Sequence, residues 1–419
     1  MTTSCGNWTM SCKRAPDQVD DVCVGTARQK NSTRKETAIP FDFDTVIDRR
    51  QTDSLKWERY RDRDILPLWV ADMDFRSPPA VIEALRAKVE HGVFGYTLPP
   101  RALVETVVGM LAEEFGWQVE PGWLVWLPGL VTGLNIACRA VGESGDAVLT
   151  LTPVYPPFLS APGLSGRTLL TVPLAEANGR WTIDLAALAA AITPRTRLLL
   201  LCNPHNPVGR IFDRDELDGL AAIAAQHDLV VCADEIHNGL LLDPDKRHIP
   251  FATLGPDAAQ RTITLIAPSK TFNLPGLGCS LAIIADRALR TRFQSAMAGI
   301  VPHVNTLGYT AALAAYRDSR EWRAALLDYL RGNRRLVAEA VAGMDGIAMA
   351  PVEATYLAWL DCRQAGLADP AHFFEQAGVG LSDGREFGGA GFVRLNFGCP
   401  RPTLQTALAR MRQALSARR

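Results

Sequence analysis

Between Asp146 and Asp286 the sequence repeatedly places a short apolar run before a cluster of turn residues. Runs of this kind predict strands. Residues 213–228 predict a helix between two of them, with Asp213 as the N-cap and Glu216 completing a capping box. Strands that alternate with helices indicate an α/β fold with a mainly parallel sheet covered on both faces. The runs are AVLTLTPVYPPF, TLLTVPL, RLLLLCNPHNPVG, LVVCADEIH, ITLIAPSK and CSLAIIAD.

Four polar residues, Tyr155, Asn206, Asp234 and Lys270, come at or just past the ends of these predicted strands. Because ligands of such sheets bind beyond the carboxyl ends of the strands, we expect the four side chains to line one site. Apolar sequence on both sides of Lys270 indicates that its amine projects into a covered site. An amine held there can lose its proton near neutral pH and form a Schiff base with a carbonyl compound. A solvated or structural lysine is the alternative.

Pyridoxal phosphate is an aldehyde cofactor that needs an amine, a carboxylate against its ring nitrogen, a phosphate cradle and an aromatic face. Lys270 supplies the amine, and Asp234, which ends the strand LVVCAD, supplies the carboxylate. A turn at Gly129 leads into a predicted helix, whose first N–H groups can bind a phosphate. Taken singly, a strand-end aspartate is often a cap or turn former, and such turns are common in α/β proteins.

The composition excludes several other classes of function. The chain has 44 Lys and Arg against 45 Asp and Glu, so its charge gives no reason to expect nucleic acid or an anionic membrane as a partner. No apolar run is long enough to span a bilayer, and the N-terminus lacks the apolar stretch of a secretory signal. The nine cysteines include no CxxC pair, which favours reduced thiols in a cytoplasm over disulfides or a metal site.

A chain of 419 residues with 47% apolar composition is predicted to form two domains. Residues 1–37 are polar and aperiodic, which predicts a disordered extension, and its three cysteines match no metal-ligand spacing. We place a small α+β domain in residues 38–75 and 311–419, and a large domain in residues 76–310. The charged stretch 41–64 is predicted to be a solvated segment.

Six motifs follow one another along the chain: WVADMDF (69–75), HGVFGYT (91–97), PVYPPF (153–158), NPHNPVG (203–209), ADEIH (233–237) and APSKTFNLPGL (267–277). On these motifs the chain resembles the fold-type I pyridoxal phosphate enzymes of the class I/II aminotransferase superfamily. Within it, the chain is similar to the MalY/PatB branch of cystathionine β-lyases, which cleave C–S bonds. The resemblance implies a large cofactor-binding domain with a mainly parallel seven-stranded sheet, a smaller α+β domain from both terminal parts, and a homodimer.

The resemblance also implies a role for each cofactor-site residue. Lys270 would carry the cofactor and act as the base at the substrate Cα, while Asp234 would face the pyridinium nitrogen. Asn206 would bind the phenolic oxygen of the cofactor, His237 would lie near that oxygen, and Tyr155 would stack on the ring. A satisfied structural histidine and a core tyrosine are the alternatives for His237 and Tyr155. The phosphate would be held by the backbone N–H groups of Leu130 and Val131, with Ser269.

Further residues are implied at the substrate and at the subunit boundary. Arg394, in the strand FVRLNFG, would bind the substrate carboxylate bidentately, although an exposed strand arginine is the alternative. Ala71 and Asn206 would also contact the substrate. Tyr96 would act in catalysis together with Tyr155, and would do so by reaching the site of a neighbouring subunit.

The implied reaction is β-elimination from cystathionine or a cysteine S-conjugate, which yields a thiol, pyruvate and ammonia. Ordinary aminotransferases commonly place a phosphate-binding arginine eight residues after the lysine, where this chain has Gly278, and the difference favours the lyase branch. Transamination on the same scaffold is an alternative. A decarboxylating or oxidative deamination of an S-conjugated amino acid, in sulfur-containing secondary metabolism, is another. A regulator that keeps the fold is disfavoured, because Lys270 and Asp234 are both present.

Overall fold

The computed structural model describes residues 41–177 and 179–418, and a seven-stranded sheet organises their middle part. Ser280–Ile283 runs antiparallel to both of its neighbours, and the other six strands share one direction. The α/β fold with a mainly parallel seven-stranded sheet is therefore confirmed. In spatial order the strands are Leu124–Leu127, Ser280–Ile283, Thr262–Ile266, Val230–Asp234, Thr196–Cys202, Ala147–Thr152 and Thr168–Pro173.

Both faces of this sheet are buried, as the continuously apolar strands predict. Successive side chains of a strand point to opposite faces, so Leu198 and Leu200 belong to one core while Leu199 and Leu201 belong to another. Leu134, Phe158 and Phe293, each from a different helix, cover the first face. Leu188, Leu217 and Leu220, from two other helices, cover the second face.

A second, antiparallel sheet has four short strands, Ala348–Met349, Leu357–Asp361, Phe392–Asn396 and Ser382–Asp383 in spatial order. Helices Arg320–Ala342 and Arg401–Ser416 share a hydrophobic core with it. Phe392–Asn396 is a central strand, and it carries Arg394. The two-residue strand Leu66–Pro67 pairs in parallel with Val379–Gly380, and Ala175–Ala177 pairs with Arg180–Thr182. The division into a large and a small domain stays a prediction.

Recognisable capping signals mark two of the helix ends. Gly92 adopts a left-handed φ of 74° and ends the helix Pro79–His91. Asp213 and Glu216 form the predicted capping box of the helix Arg214–Gln226. The remaining helices are Leu55–Glu58, Arg101–Phe115, Leu130–Ala140, Pro156–Leu164, Leu185–Ala191, Pro256–Arg261, Arg287–Met297, Thr306–Asp318, Arg320–Ala342, Pro370–Gln376 and Arg401–Ser416, with 3-10 turns at Pro121–Trp123, Phe251–Thr253, Pro275–Leu277 and Gly384–Phe387.

The prediction of a solvated segment over residues 41–64 is confirmed for most of these residues, which are exposed, and is wrong for a buried minority. Phe43 and Trp57 are buried, and the Lys56 side chain is 0% exposed. Lys56 can be buried because its Nζ lies 2.7 Å from the Asp74 carboxylate, which compensates its charge. The predicted extension 1–37 and its three cysteines lie outside the described residues.

Within the described ranges, no helix combines the length and apolar composition that crossing a membrane requires. No group of histidine, cysteine and acidic side chains in those ranges is arranged to hold a metal ion. The cysteines of residues 41–418 are unpaired and buried.

Candidate active site

A cavity of about 270 Å³ lies at the carboxyl ends of the parallel strands, where a ligand site is expected in such a sheet. Asp234 is the last residue of its strand, and Tyr155, Asn206 and Lys270 lie in the turns that follow theirs. Tyr96 is the one predicted site residue outside the cavity. The others line it: Ala71, Leu130, Val131, Tyr155, Asn206, Asp234, His237, Ser269, Lys270 and Arg394.

Lys270 presents its amine to this cavity from the turn after the strand Thr262–Ile266. Its Nζ donates a hydrogen bond to the main-chain oxygen of Ala71 at 2.7 Å. Removal from bulk water lowers the pKa of Lys270 to about 8; the Arg394 charge adds to the lowering and the Asp72 carboxylate opposes it. An amine with such a pKa is partly neutral near pH 7 to 8, so it can act as a nucleophile or as a base.

Asp234 is buried at the floor of the cavity. Its Oδ1 accepts a hydrogen bond from the Ile236 N–H at 3.1 Å. Burial raises the pKa of Asp234 to about 7, although this hydrogen bond and the nearby Lys270 charge lower it. No cationic side chain of the described residues lies within ion-pair distance of Asp234, and a bound cation would return this carboxyl group to the ionised form.

The donor set fits pyridoxal phosphate. The protonated ring nitrogen of the cofactor is a cation of the kind that Asp234 lacks, and the Lys270 amine lines the same cavity. Tyr155 supplies an aromatic side chain to the lining. Together these groups meet the requirements for an amine, a carboxylate and an aromatic face.

The phosphate requirement is met at the start of the helix Leu130–Ala140. Gly129 is its N-cap and has no side chain to bond the first N–H groups, so those of Leu130 and Val131 are left for a ligand. The Ser269 side chain lines the cavity nearby. The helix end and the hydroxyl group together form a cradle suited to an anion.

Gly278 stands close to this cradle, where its backbone conformation disfavours a side chain. Its φ of 58° is left-handed, and a Cβ at this position would meet the Pro128 carbonyl oxygen at 3.0 Å. The difference from ordinary aminotransferases thus has a physical reason, since the left-handed φ and the close approach to the phosphate turn both disfavour a side chain here.

Asn206 and Tyr155 are tied together by their main chains. The Tyr155 N–H donates to the Asn206 carbonyl oxygen at 3.1 Å, which joins the turns after two neighbouring strands. The Asn206 side-chain oxygen accepts from Arg394 at 3.0 Å. Burial raises the pKa of the Tyr155 phenol, so its hydroxyl stays protonated at neutral pH.

His237 is buried, and its Nδ1 has no hydrogen-bond partner among the described residues. Burial lowers the pKa of His237 to about 3, and the charges of Lys270 and Arg394 lower it further, so the imidazole is neutral. The alternative of a satisfied structural histidine does not describe this ring. His237 offers an unused nitrogen in the wall of the cavity.

Arg394 is 4% exposed, so the alternative of an exposed strand arginine does not apply. Its guanidinium donates to the Trp69 carbonyl oxygen at 2.8 Å and to the Ser382 hydroxyl at 3.2 Å, and it stacks 4.6 Å from the Phe387 ring centre. Burial lowers the pKa of Arg394 to about 10. Its Nε has no partner in the described part of the chain. A buried guanidinium held only by neutral groups is a receptor for a carboxylate.

Tyr96 lies on the surface, away from the cavity of its own chain. It belongs to the stretch 92–100, which has no helix or strand, and its side chain is fully exposed. Three apolar neighbours, Val93, Phe94 and Leu98, are also exposed. The prediction that Tyr96 reaches the site of another subunit stays a prediction.

Sequence reasoning missed Tyr356 and Ser382. The Tyr356 hydroxyl donates to the Ala71 carbonyl oxygen at 2.9 Å, which is also the acceptor of Lys270. The Ser382 hydroxyl donates to the Trp69 carbonyl oxygen at 2.8 Å. A tyrosine in the apolar run TYLAWLD was a usable signal, because a buried tyrosine hydroxyl needs a partner.

Comparison with known proteins gives three findings. The family model described as Aminotransferase class I and II matches residues 63–411. Cystathionine beta-lyase PatB of Bacillus subtilis (strain 168) is 39% identical over 389 residues, which are 90% of this chain and 100% of PatB. Protein MalY of Escherichia coli (strain K12) is 33% identical, over 90% of this chain and 99% of MalY.

Two solved structures are also similar. The crystal structure of OvoB has a TM-score of 0.88 and 51% sequence identity, and covers 90% of this chain and 100% of its own. Cystalysin from Treponema denticola, whose crystal structure contains a pyridoxal 5'-phosphate cofactor, has a TM-score of 0.87 and 34% identity with the same coverage.

Proposed function

Because this chain belongs to the aminotransferase class I and II family, we propose that it is a pyridoxal phosphate-dependent carbon–sulfur β-lyase. The observation that carries the proposal is the convergence of Lys270, Asp234 and Arg394 on one cavity. They offer an amine of lowered pKa, a carboxyl group without a close cation, and a guanidinium held by neutral groups. Relatives named cystathionine beta-lyase support elimination at sulfur as the reaction.

The substrate class is cystathionine or another cysteine S-conjugate. Pyridoxal phosphate, when bound, supplies an aldehyde that condenses with amines and a ring that accepts electrons from Cα. The residues proposed to hold it have separate tasks. Asp234 would pair with the ring nitrogen, Asn206 and His237 would hold the phenolic oxygen, and Tyr155 would supply the aromatic contact to the ring. The N–H groups of Leu130 and Val131 and the Ser269 side chain would bind the phosphate.

Arg394 and Lys270 act on the amino acid itself. The Arg394 guanidinium binds the α-carboxylate, and Asn206 and Ala71 contact the same part of the substrate. The neutral Lys270 amine takes the proton from Cα. The Cβ–S bond then breaks, and sulfur leaves with the bonding electrons as a thiolate. Addition of water to the remaining three-carbon fragment gives pyruvate and ammonia.

The cavity lining supports proton abstraction in a site with little water. Val70, Ile236 and Pro275 contribute apolar surface to it. An apolar wall keeps bulk water from the Lys270 amine and strengthens the electrostatic attraction between Arg394 and a carboxylate.

We propose a homodimer in which Tyr96 completes the site of the partner subunit. The support is the exposure of Tyr96 and its apolar neighbours in residues 92–98, since contiguous exposed apolar side chains mark an interaction surface. We also propose a cytoplasmic location, because the cysteines of the described residues are unpaired, as reduced thiols are in that compartment.

The test is release of pyruvate from the purified, cofactor-loaded protein without an oxo acid acceptor. Cystathionine and a panel of cysteine S-conjugates serve as substrates, and free thiol is measured alongside pyruvate. The proposal expects equal amounts of thiol and pyruvate, and none from the Lys270→Ala variant. An amino product that forms only when an oxo acid is added contradicts the lyase and supports transamination. Carbon dioxide in place of pyruvate supports decarboxylating chemistry.

A further inference from the structure

The main-chain oxygens of residues 69–73 are held by side chains from distant parts of the sequence. Trp69 accepts from Arg394 and Ser382, Val70 and Asp72 accept from Asn396, Ala71 accepts from Lys270 and Tyr356, and Met73 accepts from Asn273. Five consecutive carbonyl groups are thereby fixed, and two of the residues that carry them, Val70 and Ala71, line the cavity. The segment acts as a rigid row of acceptors.

A buried ion pair anchors this row. The Lys56 Nζ lies 2.7 Å from the Asp74 carboxylate and also donates to the Asp72 main-chain oxygen at 3.2 Å. The Trp57 ring nitrogen donates to the same Asp74 carboxylate at 3.1 Å. Because Lys56 and Asp74 are buried, displacing the segment would leave charges uncompensated.

The Ala71 oxygen is the acceptor nearest to the chemistry, and it receives two donors. The Lys270 Nζ lies 2.7 Å from it, and the Tyr356 hydroxyl lies 2.9 Å from it. Tyr356 is 1% exposed, and its ring meets His237 edge-on at 6.2 Å. A carbonyl oxygen has two lone pairs, so the tyrosine occupies one and leaves the other for the amine.

We propose that Tyr356 is a positioning residue that fixes the Ala71 carbonyl and thereby sets the resting place and the proton affinity of the Lys270 amine. A hydroxyl that donates to this oxygen weakens it as an acceptor for an ammonium group, which favours the neutral amine. The other groups around the amine are the Asp72 and Asp234 carboxyl groups, which favour its protonation, and the Arg394 guanidinium, which opposes it. His237 remains neutral. The inference rests on the proposed role of Lys270.

The test compares the titration of Lys270 in the full-length parent and Tyr356→Phe chains after removal of the cofactor. Acetic anhydride labels neutral amines, and peptide mass spectrometry reports the labelling of Lys270 at each pH. We expect the midpoint for Lys270 to rise by about one pH unit in Tyr356→Phe, which lowers the labelling rate at pH 7 about tenfold. Tyr309→Phe is the matched control, because Tyr309 is buried and its hydroxyl makes no hydrogen bond within the described residues.

A folded Tyr356→Phe chain in which Lys270 keeps the parent's midpoint overturns the proposal. If that variant does not fold, 3-fluorotyrosine at position 356 replaces it, since the fluorinated phenol keeps the hydroxyl and donates more strongly. The proposal then expects a lower midpoint, and an unchanged one overturns it. The labelling does not depend on turnover. If the midpoint shifts but the lyase assay fails, the result counts against the proposed reaction. If the lyase assay succeeds but the midpoint does not shift, the result counts against the role of Tyr356.

Discussion

Burial shifts both Asp234 and Lys270 towards neutrality. The pKa of Asp234 is raised to about 7 and that of Lys270 is lowered to about 8. A carboxyl group with a raised pKa opposes folding at neutral pH, because the unfolded chain releases the proton at lower pH. The site therefore carries a stability cost that a cationic ring nitrogen would offset.

Replacing Asp234 with asparagine is expected to have opposite effects on stability and cofactor binding. Between about pH 4 and pH 7 the folded parent holds a proton that the unfolded chain has lost, so its stability falls as the pH rises. Asp234→Asn removes this cost, and the melting temperature of the cofactor-free variant should exceed that of the parent by a few degrees above pH 7. This difference in melting temperature between the variant and the parent should shrink as the pH falls towards 4.

The same variant should bind pyridoxal phosphate weakly and lose at least about a hundredfold in kcat, because the ring nitrogen loses its buried counter-charge. Calorimetry against pH and fluorescence titration of the cofactor measure the two effects. A variant that is less stable than the parent at pH 8, or that keeps full activity, contradicts this assignment of Asp234.

The sequence placed the strand-end residues correctly because parallel strands bring their carboxyl ends to one edge of a sheet. No further information was needed to predict that one cavity would be lined by Tyr155, Asn206, Asp234 and Lys270. Tyr356 could not be placed in this way. Its partner is a main-chain oxygen 285 positions earlier in the chain, and a carbonyl group carries no residue-specific signal.

At the level of elements, the turn at Gly278 and the turn before the helix Leu130–Ala140 support each other by close approach. Gly278→Ala is expected to cost about 1–2 kcal/mol in unfolding free energy, since an alanine resists a left-handed φ and its Cβ would press on Pro128. The phosphate turn should shift, and the affinity for pyridoxal phosphate should fall.

Gly276→Ala is the control in the same loop, because a Cβ at Gly276 meets no atom within 4 Å. Urea denaturation and cofactor titration of both variants give the comparison. If Gly278→Ala and Gly276→Ala lose equal amounts of unfolding free energy and of cofactor affinity, the close approach of Gly278 to Pro128 does not have the proposed role.

The buried ion pair between Lys56 and Asp74 should matter far more than a surface pair. Among the described residues, Lys56→Met leaves the Asp74 carboxylate with only Arg49 as its cationic partner within ion-pair distance, and should destabilise the fold by about 3 kcal/mol. Arg86→Met breaks an exposed pair with Glu83 and should cost less than about 1 kcal/mol. Chemical denaturation measures both, and comparable costs would contradict the anchoring role of Lys56.

The stretch 41–64 shows where patterns of charge mislead. Its density of charged residues is typical of a solvated segment, yet Lys56 is fully buried. The prediction failed at Lys56 because the compensating carboxylates, on Asp72 and Asp74, belong to another segment. Pairing across segments depends on the fold and leaves no mark in local composition.

At the level of the whole molecule, the exposed apolar residues of 92–98 are the feature that the isolated chain does not explain. The side chains of Val93, Phe94, Tyr96 and Leu98 are between 56% and 107% exposed. Single exposed apolar residues are ordinary, but a group of them in one stretch favours burial against a partner.

The double variant Phe94→Asp and Leu98→Asp is expected to shift the protein from dimer to monomer and to lower activity, because the partner's site loses Tyr96. Leu164→Asp changes an exposed leucine outside that stretch and should leave the assembly unchanged. Sedimentation velocity measures the assembly. A monomeric parent, or a double variant that remains dimeric, contradicts the proposed homodimer.

The most direct test of the account is to locate the lysine that holds the cofactor. The full-length protein is loaded with pyridoxal phosphate and reduced with borohydride, which fixes an imine as a stable amine, and the peptides are mapped by mass spectrometry. The pyridoxyl group is expected on Lys270, and the visible absorbance of the cofactor is expected to be lost in Lys270→Ala. A cofactor fixed on another lysine, or no fixation at all, would contradict this expectation.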